Sequence, residues 1–174
     1  MIPLQPAKLP FPFTGGWGGP PAVQLAFGGL RKTTSQNIGT LGAAFVAITN
    51  YQAPVFANEF GIATDAANGT LTFARPGNYV LTANIDATFT QDNNTSRSTI
   101  LRLFNVTDNI AIADASARLY AGGYTAGFQS SNAIAVNINA AVGKALRLEI
   151  GGGSTFAAFN IAQAAFSAQS VGPV

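Results

Sequence analysis

An alternation of apolar and mostly polar side chains from Tyr79 to Phe89 restricts the fold of this chain more than any other feature. The apolar positions are Tyr79, Leu81, Ala83, Ile85, Ala87 and Phe89, and the positions between them are polar apart from Val80. A period of two places the two sets on opposite faces of a β-strand, one against a core and one in a more polar environment. A strand of this length needs neighbours on both sides, so the sequence predicts a sheet protein.

Shorter runs of the same kind cover most of the chain after Ile38. They are separated by turn sequences such as Asn68-Gly69, Pro76-Gly77 and Gly151-Gly152-Gly153. The runs are 45–49, 55–60, 70–73, 98–106, 110–120, 133–139, 145–150 and 156–166. The alanine-rich run 110–117 would suit a helix by propensity, but its larger residues alternate, which favours a strand. About eight to ten short strands predict an all-β antiparallel sandwich or barrel.

Residues 1 to about 36 have a different composition and are predicted to form an extended N-terminal arm, with the β-domain at 37–174 and a short C-terminal tail from Gln163. Prolines and glycines in the arm interrupt any helix or central strand. Its large apolar groups would be a liability in water, which favours packing on a partner or a sister subunit over a flexible leader. The predicted anchoring residues are Leu9, Phe11, Phe13, Trp17, Phe27, Arg31 and Lys32.

Charge is scarce in this chain. Charged residues make up 9% of the sequence and hydrophobic residues 48%, with a net charge of +2, whereas an average soluble domain carries about 25% charge. Disorder is excluded because it pairs low hydrophobicity with high net charge. No apolar run is long enough for a membrane span, the N-terminus lacks a signal-peptide pattern, and the basic residues form no patch for nucleic acid.

The chain contains no cysteine and no histidine. Thiol nucleophiles, disulfides and the usual zinc or iron sites are therefore absent, and so is the commonest general base. A serine with a lysine base, or a pair of carboxylates, stays open as an alternative, but the acidic residues are few and scattered. We expect that the protein is not an enzyme and binds no cofactor. The cluster Asp92-Asn93-Asn94 offers oxygen ligands for calcium, but a single carboxylate favours a turn.

Three segments resemble the C1q and tumour-necrosis-factor jelly-roll family. In residues 68–81 a glycine-led strand, the Pro76-Gly77 turn and a strand bearing Tyr79 follow one another as in the central signature of that family. Residues 101–105 resemble the next core strand. Residues 156–161 resemble the closing strand, although Ala158 stands where family members usually have glycine. The match covers roughly 38–166.

The resemblance implies a jelly-roll sandwich that assembles as a compact homotrimer. An apolar subunit interface would also account for the low charge, since obligate interfaces are depleted in charged residues. The candidates for residues facing the trimer axis are Tyr120, Tyr124, Phe128 and Phe159, and the alternative for each is a place in the core.

Within that family the chain resembles bacteriophage decoration and fibre proteins, because it has a proline-aromatic arm in place of a stalk. The resemblance implies a structural virion protein, a homotrimeric capsid decoration or cement protein on the capsid or tail surface. Its arm would bind the major capsid protein or another virion protein. The alternative is a receptor-binding fibre or spike tip that recognises a host glycan or protein through loops 92–97 and 121–132, with Tyr120, Tyr124, Asn93 and Asn94 as contacts.

Overall fold

The computed structural model describes residues 24–54, 60–90, 96–121 and 128–172, with the backbone alone at 53–54, 113–115, 120–121 and 128. These residues form twelve strands and no helix. The strands are β1 (Phe27–Lys32), β2 (Gln36–Leu41), β3 (Val46–Ala47), β4 (Gln52–Pro54), β5 (Ile62–Asp65), β6 (Thr70–Phe73), β7 (Gly77–Thr90), β8 (Arg97–Asn105), β9 (Ile110–Ala121), β10 (Phe128–Ala140), β11 (Ala145–Gly151) and β12 (Phe156–Ser170). The alanine-rich run 110–117 is part of β9, which confirms its prediction as a strand.

The strands form two sheets packed face to face. The first sheet has the order β10-β7-β12-β1-β4, with β2 beside β12, and the second has the order β5-β6-β11-β8-β9, with β3 beside β11. The named strands pair antiparallel throughout. Because most neighbours in a sheet are not consecutive in the chain, the connections cross between the sheets, which is the topology of a jelly roll.

The core lies between the sheets and follows the alternation of β7. Tyr79, Leu81, Ala83, Ile85, Ala87 and Phe89 are all buried, while Val80, Thr82 and Asn84 are exposed. The second sheet contributes the large buried side chains Leu71, Phe73, Leu101, Leu103, Leu146, Leu148 and Ile150. Each such side chain contributes about 1.5–3 kcal/mol when it is removed from water.

Phe159 belongs to this core, which corrects its assignment to a subunit interface. Its ring lies 5.7 Å from Phe89 in a stacked arrangement and 5.7 Å from Phe156 edge to face, and the side chain is fully buried. A strict alternation from Phe156 would point Phe159 outward. The pairing of β12 with β2 is irregular between Phe156 and Phe159, and this irregularity turns both rings inward.

The described part of the predicted arm belongs to the sandwich. Strand β1, at Phe27–Lys32, pairs with β12 on one side and β4 on the other, and Leu30 is fully buried. From the sequence alone the glycines of this segment count against a strand, but Gly28 is required by close packing. A Cβ at this position would lie 2.8 Å from Cγ2 of Ile62. The predicted boundary between the arm and the β-domain, near residue 36, therefore lies too far along the chain, because the sandwich already includes β1. Residues 1–23, with Leu9, Phe11, Phe13 and Trp17, lie outside the described residues.

The C-terminal tail predicted from Gln163 is also corrected, because β12 continues to Ser170. Its second half pairs with β7 and β1 at the same time, from Ala164 to Ala168. Alanine and serine there gave no strong apolar signal, yet Ala164, Phe166 and Ala168 are buried. Of the strand predicted at 55–60, residues 55–59 lie outside the described residues, and Phe60 forms a single bridge with Phe27.

The core position of Phe159 generates a stability prediction. We expect Phe159→Ala to lower the free energy of unfolding by about 3–5 kcal/mol, because it opens a cavity beside Phe89 and Phe156. Urea denaturation at one fixed protein concentration measures the change. Ser96→Ala, at an exposed position, should stay within about 0.5 kcal/mol of the parent. A loss as small as that of Ser96→Ala would contradict a core role for Phe159.

Candidate functional site: the open face of the first sheet

One face of the first sheet covers the core and the other points away from it. The second face, here called the open face, is formed by the outward side chains of β7, β10, β12 and β1 and is solvent-exposed over much of its area. They are Asn78, Val80, Thr82, Asn84, Asp86, Thr88, Gln129, Ser131, Ala133, Ala135, Asn137, Asn139, Asn160, Gln163, Ala165, Ser167, Gln169 and Arg31.

The open face is built from short, mostly uncharged side chains. Among its described residues only Arg31 and Asp86 are charged. Two cross-strand hydrogen bonds link its polar groups: the hydroxyls of Thr82 and Ser167 lie 2.8 Å apart, and Asn139 Nδ2 donates to Asn78 Oδ1 at 3.0 Å. Side chains this short lose little rotamer freedom when another surface covers them.

The middle of the open face is hollow. Ala133 pairs with Asn84, which pairs with Ala165, which in turn pairs with Arg31, so one row across four strands contains two alanines. The two alanines line a depression of about 210 Å³ together with Asn84, Ala135, Thr82 and Ser167. A sheet face with a hollow of this kind is suited to receive an edge or a side chain of another protein surface.

The two charges of the open face lie at one depression. Arg31, Asp86, Asn84 and Gln163 border a second hollow of about 280 Å³. Arg31 lies in β1 and Asp86 lies two strands away in β7, with β12 between them. The hollow therefore presents one positive and one negative group in a setting of amides.

The three described residues among the predicted arm anchors have different surroundings. Arg31 is exposed on the open face, and the backbone of Phe27 pairs with Phe60. Lys32 points into the sandwich and is 2% exposed, with Nζ donating to the carbonyl oxygens of Thr49 and Asn50 at 2.9 Å each. Burial lowers the pKa of Lys32. Lys32 thus stabilises the connection between β3 and β4 and is not available to a partner. Its assignment as an anchor of the arm is therefore wrong.

The structure describes only the backbone of two of the remaining predicted interface residues, Tyr120 and Phe128. Tyr120 lies in β9, where its backbone pairs with Ser98, and Phe128 begins β10 opposite Phe89. Their side chains, and the whole of Tyr124, lie outside the described residues, as do Asn93, Asn94 and the turn that offered calcium ligands. The assignment of Tyr120, Tyr124 and Phe128 to a trimer axis stays a prediction.

The second sheet carries an ion cluster that the sequence analysis missed. Arg102 Nε and Nη2 donate to Glu149 Oε2 at 2.9 and 2.6 Å, and Arg147 Nε and Nη2 donate to Glu149 Oε1 at the same distances. The Phe45 ring covers the Arg102 guanidinium at 3.4 Å, and the Glu149 side chain is 4% exposed. The signal available in the sequence was the placement of these residues at polar positions of predicted strands.

The cluster has a structural role. Glu149 pairs with Arg102 across β11 and β8, and its carboxylate binds Arg102 of β8 and Arg147 of β11, so it connects these two strands. Both of its oxygens accept two hydrogen bonds, and both guanidinium groups face the carboxylate. The cluster therefore fastens the outer face of the second sheet, and its carboxylate has no free lone-pair direction for proton transfer.

Two exposed aspartates have pKa values below the ordinary range for a local reason. The pKa of Asp65 is lowered by hydrogen bonds from Asn68, and that of Asp108 by hydrogen bonds from Lys144 and Asn105. Both lie at turns between neighbouring strands. A depressed carboxyl pKa stabilises the fold at neutral pH, and that stabilisation is lost as the pH falls through the folded-state value.

In the described ranges no group of three or more acidic, histidine or cysteine side chains is placed to hold a metal ion. The same part of the chain contains no helix with the length and hydropathy needed to span a bilayer. The predictions that the protein is not an enzyme and has no cofactor stay predictions.

The strand order and the two-sheet packing define an antiparallel jelly roll. No family model matches the chain, and no curated protein matches it. Solved structures do: the globular domain of zebrafish complement 1qA protein is 10% identical, with a TM-score of 0.54 over 86% of this chain and 99% of that chain. A crystal structure of murine APRIL at pH 5.0 is 11% identical, with a TM-score of 0.47 over 85% of this chain and 100% of that chain.

The chain therefore has a C1q/TNF-like jelly-roll fold, which confirms the fold predicted from residues 68–81, 101–105 and 156–161. At this level of identity the likeness concerns the fold.

The buried carboxylate of the ion cluster generates the second prediction. Glu149→Gln leaves Arg102 and Arg147 without a charge partner, and removal of one partner from a buried pair costs about 3–5 kcal/mol. Asp108→Asn is the matched control, since the Asp108–Lys144 pair at 3.0 Å is partly exposed and contributes at most about 1 kcal/mol. Urea denaturation at neutral pH compares the two. Equal losses would show that the cluster does not fasten the second sheet.

Proposed function

We propose that this protein is a homotrimeric structural protein of a virus particle, a capsid decoration or cement protein. Its open face forms the subunit interface, and its N-terminal segment attaches the trimer to the shell. The observation that carries the proposal is the scarcity of charge on the open face: two charged residues among the eighteen named above.

The physical case for an interface rests on what a solvated sheet face normally carries. Exposed sheet faces of monomers carry lysine and glutamate, which keep the surface soluble and blunt unwanted association. Interfaces are depleted in those residues. The open face has amides, hydroxyls and alanines in their place, and its central hollow gives a second subunit a shape to fit.

A trimer formed through this face would present three N-terminal segments together. Each joins the sandwich just before β1, which lies beside the open-face strand β12. Three weak attachments on one rigid body raise the total affinity by several orders of magnitude when the sites match the symmetry. An attachment of this kind suits a repeating shell.

The second candidate function is a receptor-binding tip. It is favoured by the placement of the β7–β8 and β9–β10 connections, which follow Thr90 and Ala121 at the end of the sandwich opposite to Leu25. A trimer held by its N-terminal segments would present these connections outward. Recognition of a host glycan or protein by residues 92–97 and 121–132 would use that position.

The assembly is tested on the hollow of the open face. We expect the parent to have the mass of a trimer in solution and the Ala133→Arg, Ala165→Arg double variant to have the mass of a monomer, because two long cations cannot be buried in the hollow without partners. Light scattering after size-exclusion chromatography measures the mass. The control is Ala63→Arg, an exposed alanine of the second sheet. A monomeric parent would rule out the trimer.

Attachment is tested by removing residues 1–23 and keeping β1 intact. Under the decoration hypothesis the truncated protein stays soluble, keeps its assembly state and no longer cosediments with shells made from the capsid genes of the same genome. Full cosedimentation of the truncated protein would refute attachment through the segment. Under the receptor hypothesis, labelled trimers bind intact host cells, and the truncation does not reduce that binding.

A further inference from the structure

The exposed aliphatic side chains of this protein are concentrated at one end of the sandwich. In the ranges described, the large hydrophobic side chains that are exposed are Leu25 (38%), Val80 (37%), Ile110 (56%), Val142 (62%) and Val171 (60%). Leu25 precedes β1, Val80 is near the start of β7, Ile110 begins β9, Val142 lies between β10 and β11, and Val171 follows β12. In these antiparallel sheets all five positions meet at the same end.

Backbone pairing joins these positions. The amide of Val171 donates to the carbonyl of Asn78, and the amide of Ser170 donates to the carbonyl of Ala26, which brings the end of β12 between Leu25 and the start of β7. Asn139 pairs with Asn78, so β10 adds its last residues on the other side. These five residues and the half-buried Ile138 between them are called the aliphatic end patch below.

The patch is recessed. Val80, Ile138 and Val171 line a depression of about 500 Å³ together with asparagine side chains. Ile110, Ile112 and the same Ile138 line a second depression of about 410 Å³. Ile138 and Asn139 border both, so the two depressions adjoin at β10, and Asp108 and Lys144 also line the second. The two adjoining depressions are together called the trough below. Clustered apolar side chains of this kind mark a surface that another segment covers.

The chain itself supplies a segment of matching chemistry at the same place. Residues 1–23 join the sandwich next to Leu25, which is part of the patch. This segment has one charged side chain, Lys8, and it carries the large apolar residues Leu9, Phe11, Phe13 and Trp17. At roughly 3.3 Å per extended residue it reaches up to about 75 Å, far more than the trough requires. Its prolines reduce the entropy lost on docking.

We propose that residues 1–23 dock on the aliphatic end patch in the free protein, on their own subunit or on a neighbour within the same assembly. The proposed subunit contact then uses the central hollow of the open face, and Val80 with the asparagines at the margin of that face is covered by the segment. The aromatic side chains of the segment fill the trough, whose aliphatic lining is Val80, Ile110, Ile112, Ile138 and Val171. This inference goes beyond the attachment role, because it concerns the protein before it meets a shell. Docking keeps an apolar segment and an apolar patch out of water at the same time.

Trp17 is the only tryptophan of the chain and reports directly on the segment. Its emission maximum and its quenching by acrylamide are measured in the full-length protein, with the urea-unfolded chain as the reference for full exposure. The test variant is Val171→Lys with Ile110→Lys, both at positions more than half exposed. The matched control is Ser96→Lys, which is exposed at the opposite end of the sandwich.

We expect Trp17 to be shielded in the parent and in Ser96→Lys. In the patch variant we expect it to be quenched as in the unfolded chain, because each of the two lost aliphatic contacts lowers the docking equilibrium constant by about tenfold. Circular dichroism confirms that each variant is folded, and Val171→Asn with Ile110→Asn repeats the test with a smaller change. The shielding should not depend on protein concentration above that needed for assembly.

Three results would overturn the proposal. Trp17 fully exposed in the parent would show that the segment does not dock. Trp17 equally shielded in the parent and in both patch variants would show that it docks elsewhere. A fall in molecular mass of the patch variants would assign the patch to subunit contacts. None of these results bears on cosedimentation with shells, so the attachment role stands or falls separately.

Discussion

The pairing of β7 with β10 on one side and β12 on the other is the interaction on which the rest of the structure depends. β7 has 14 residues, and its ladder with β10 runs without a break from Gly77 to Phe89. A slip of one residue in this register would exchange the buried set, from Tyr79 to Phe89, with the polar set between. Burial of six apolar residues therefore fixes which face of the first sheet is open, and the same constraint sets the composition of the open face.

The outer faces of the two sheets carry different kinds of side chain. On the second sheet, two arginines, one carboxylate and two phenylalanine rings cover the strands and satisfy one another within one chain. On the first sheet, amides and hydroxyls of short side chains leave a hollow that nothing in the described chain fills. A self-contained surface needs charge and length in its side chains, and the ion cluster of the second sheet supplies both, whereas most side chains of the open face are short and uncharged. This contrast is the physical reason for placing the subunit contact on the first sheet.

Much of the fold was predictable from the sequence because period-two alternation and turn residues are local signals. The strands β6, β8, β9 and β11 lie within a residue or two of their predicted limits. The errors occurred where a distant partner decides the outcome. Phe159 turns inward because β12 is irregular opposite β2, and Gly28 is tolerated in β1 because Ile62 lies against it. The ion cluster of Glu149 was missed since Arg102 is distant from Glu149 in the sequence and becomes its neighbour only through the pairing of β11 with β8.

The low charge of the chain has separate physical origins in different parts of the molecule. The core accounts for part of it, as in any sandwich. The open face accounts for a further part under the proposed function, because a face that is covered in a trimer has no need of lysine or glutamate. The aliphatic end patch and residues 1–23 account for another under the proposed docking, since the acid-free segment joins the sandwich next to Leu25 of that patch. Charge placed on either would oppose the other's burial, so the two surfaces are under the same constraint.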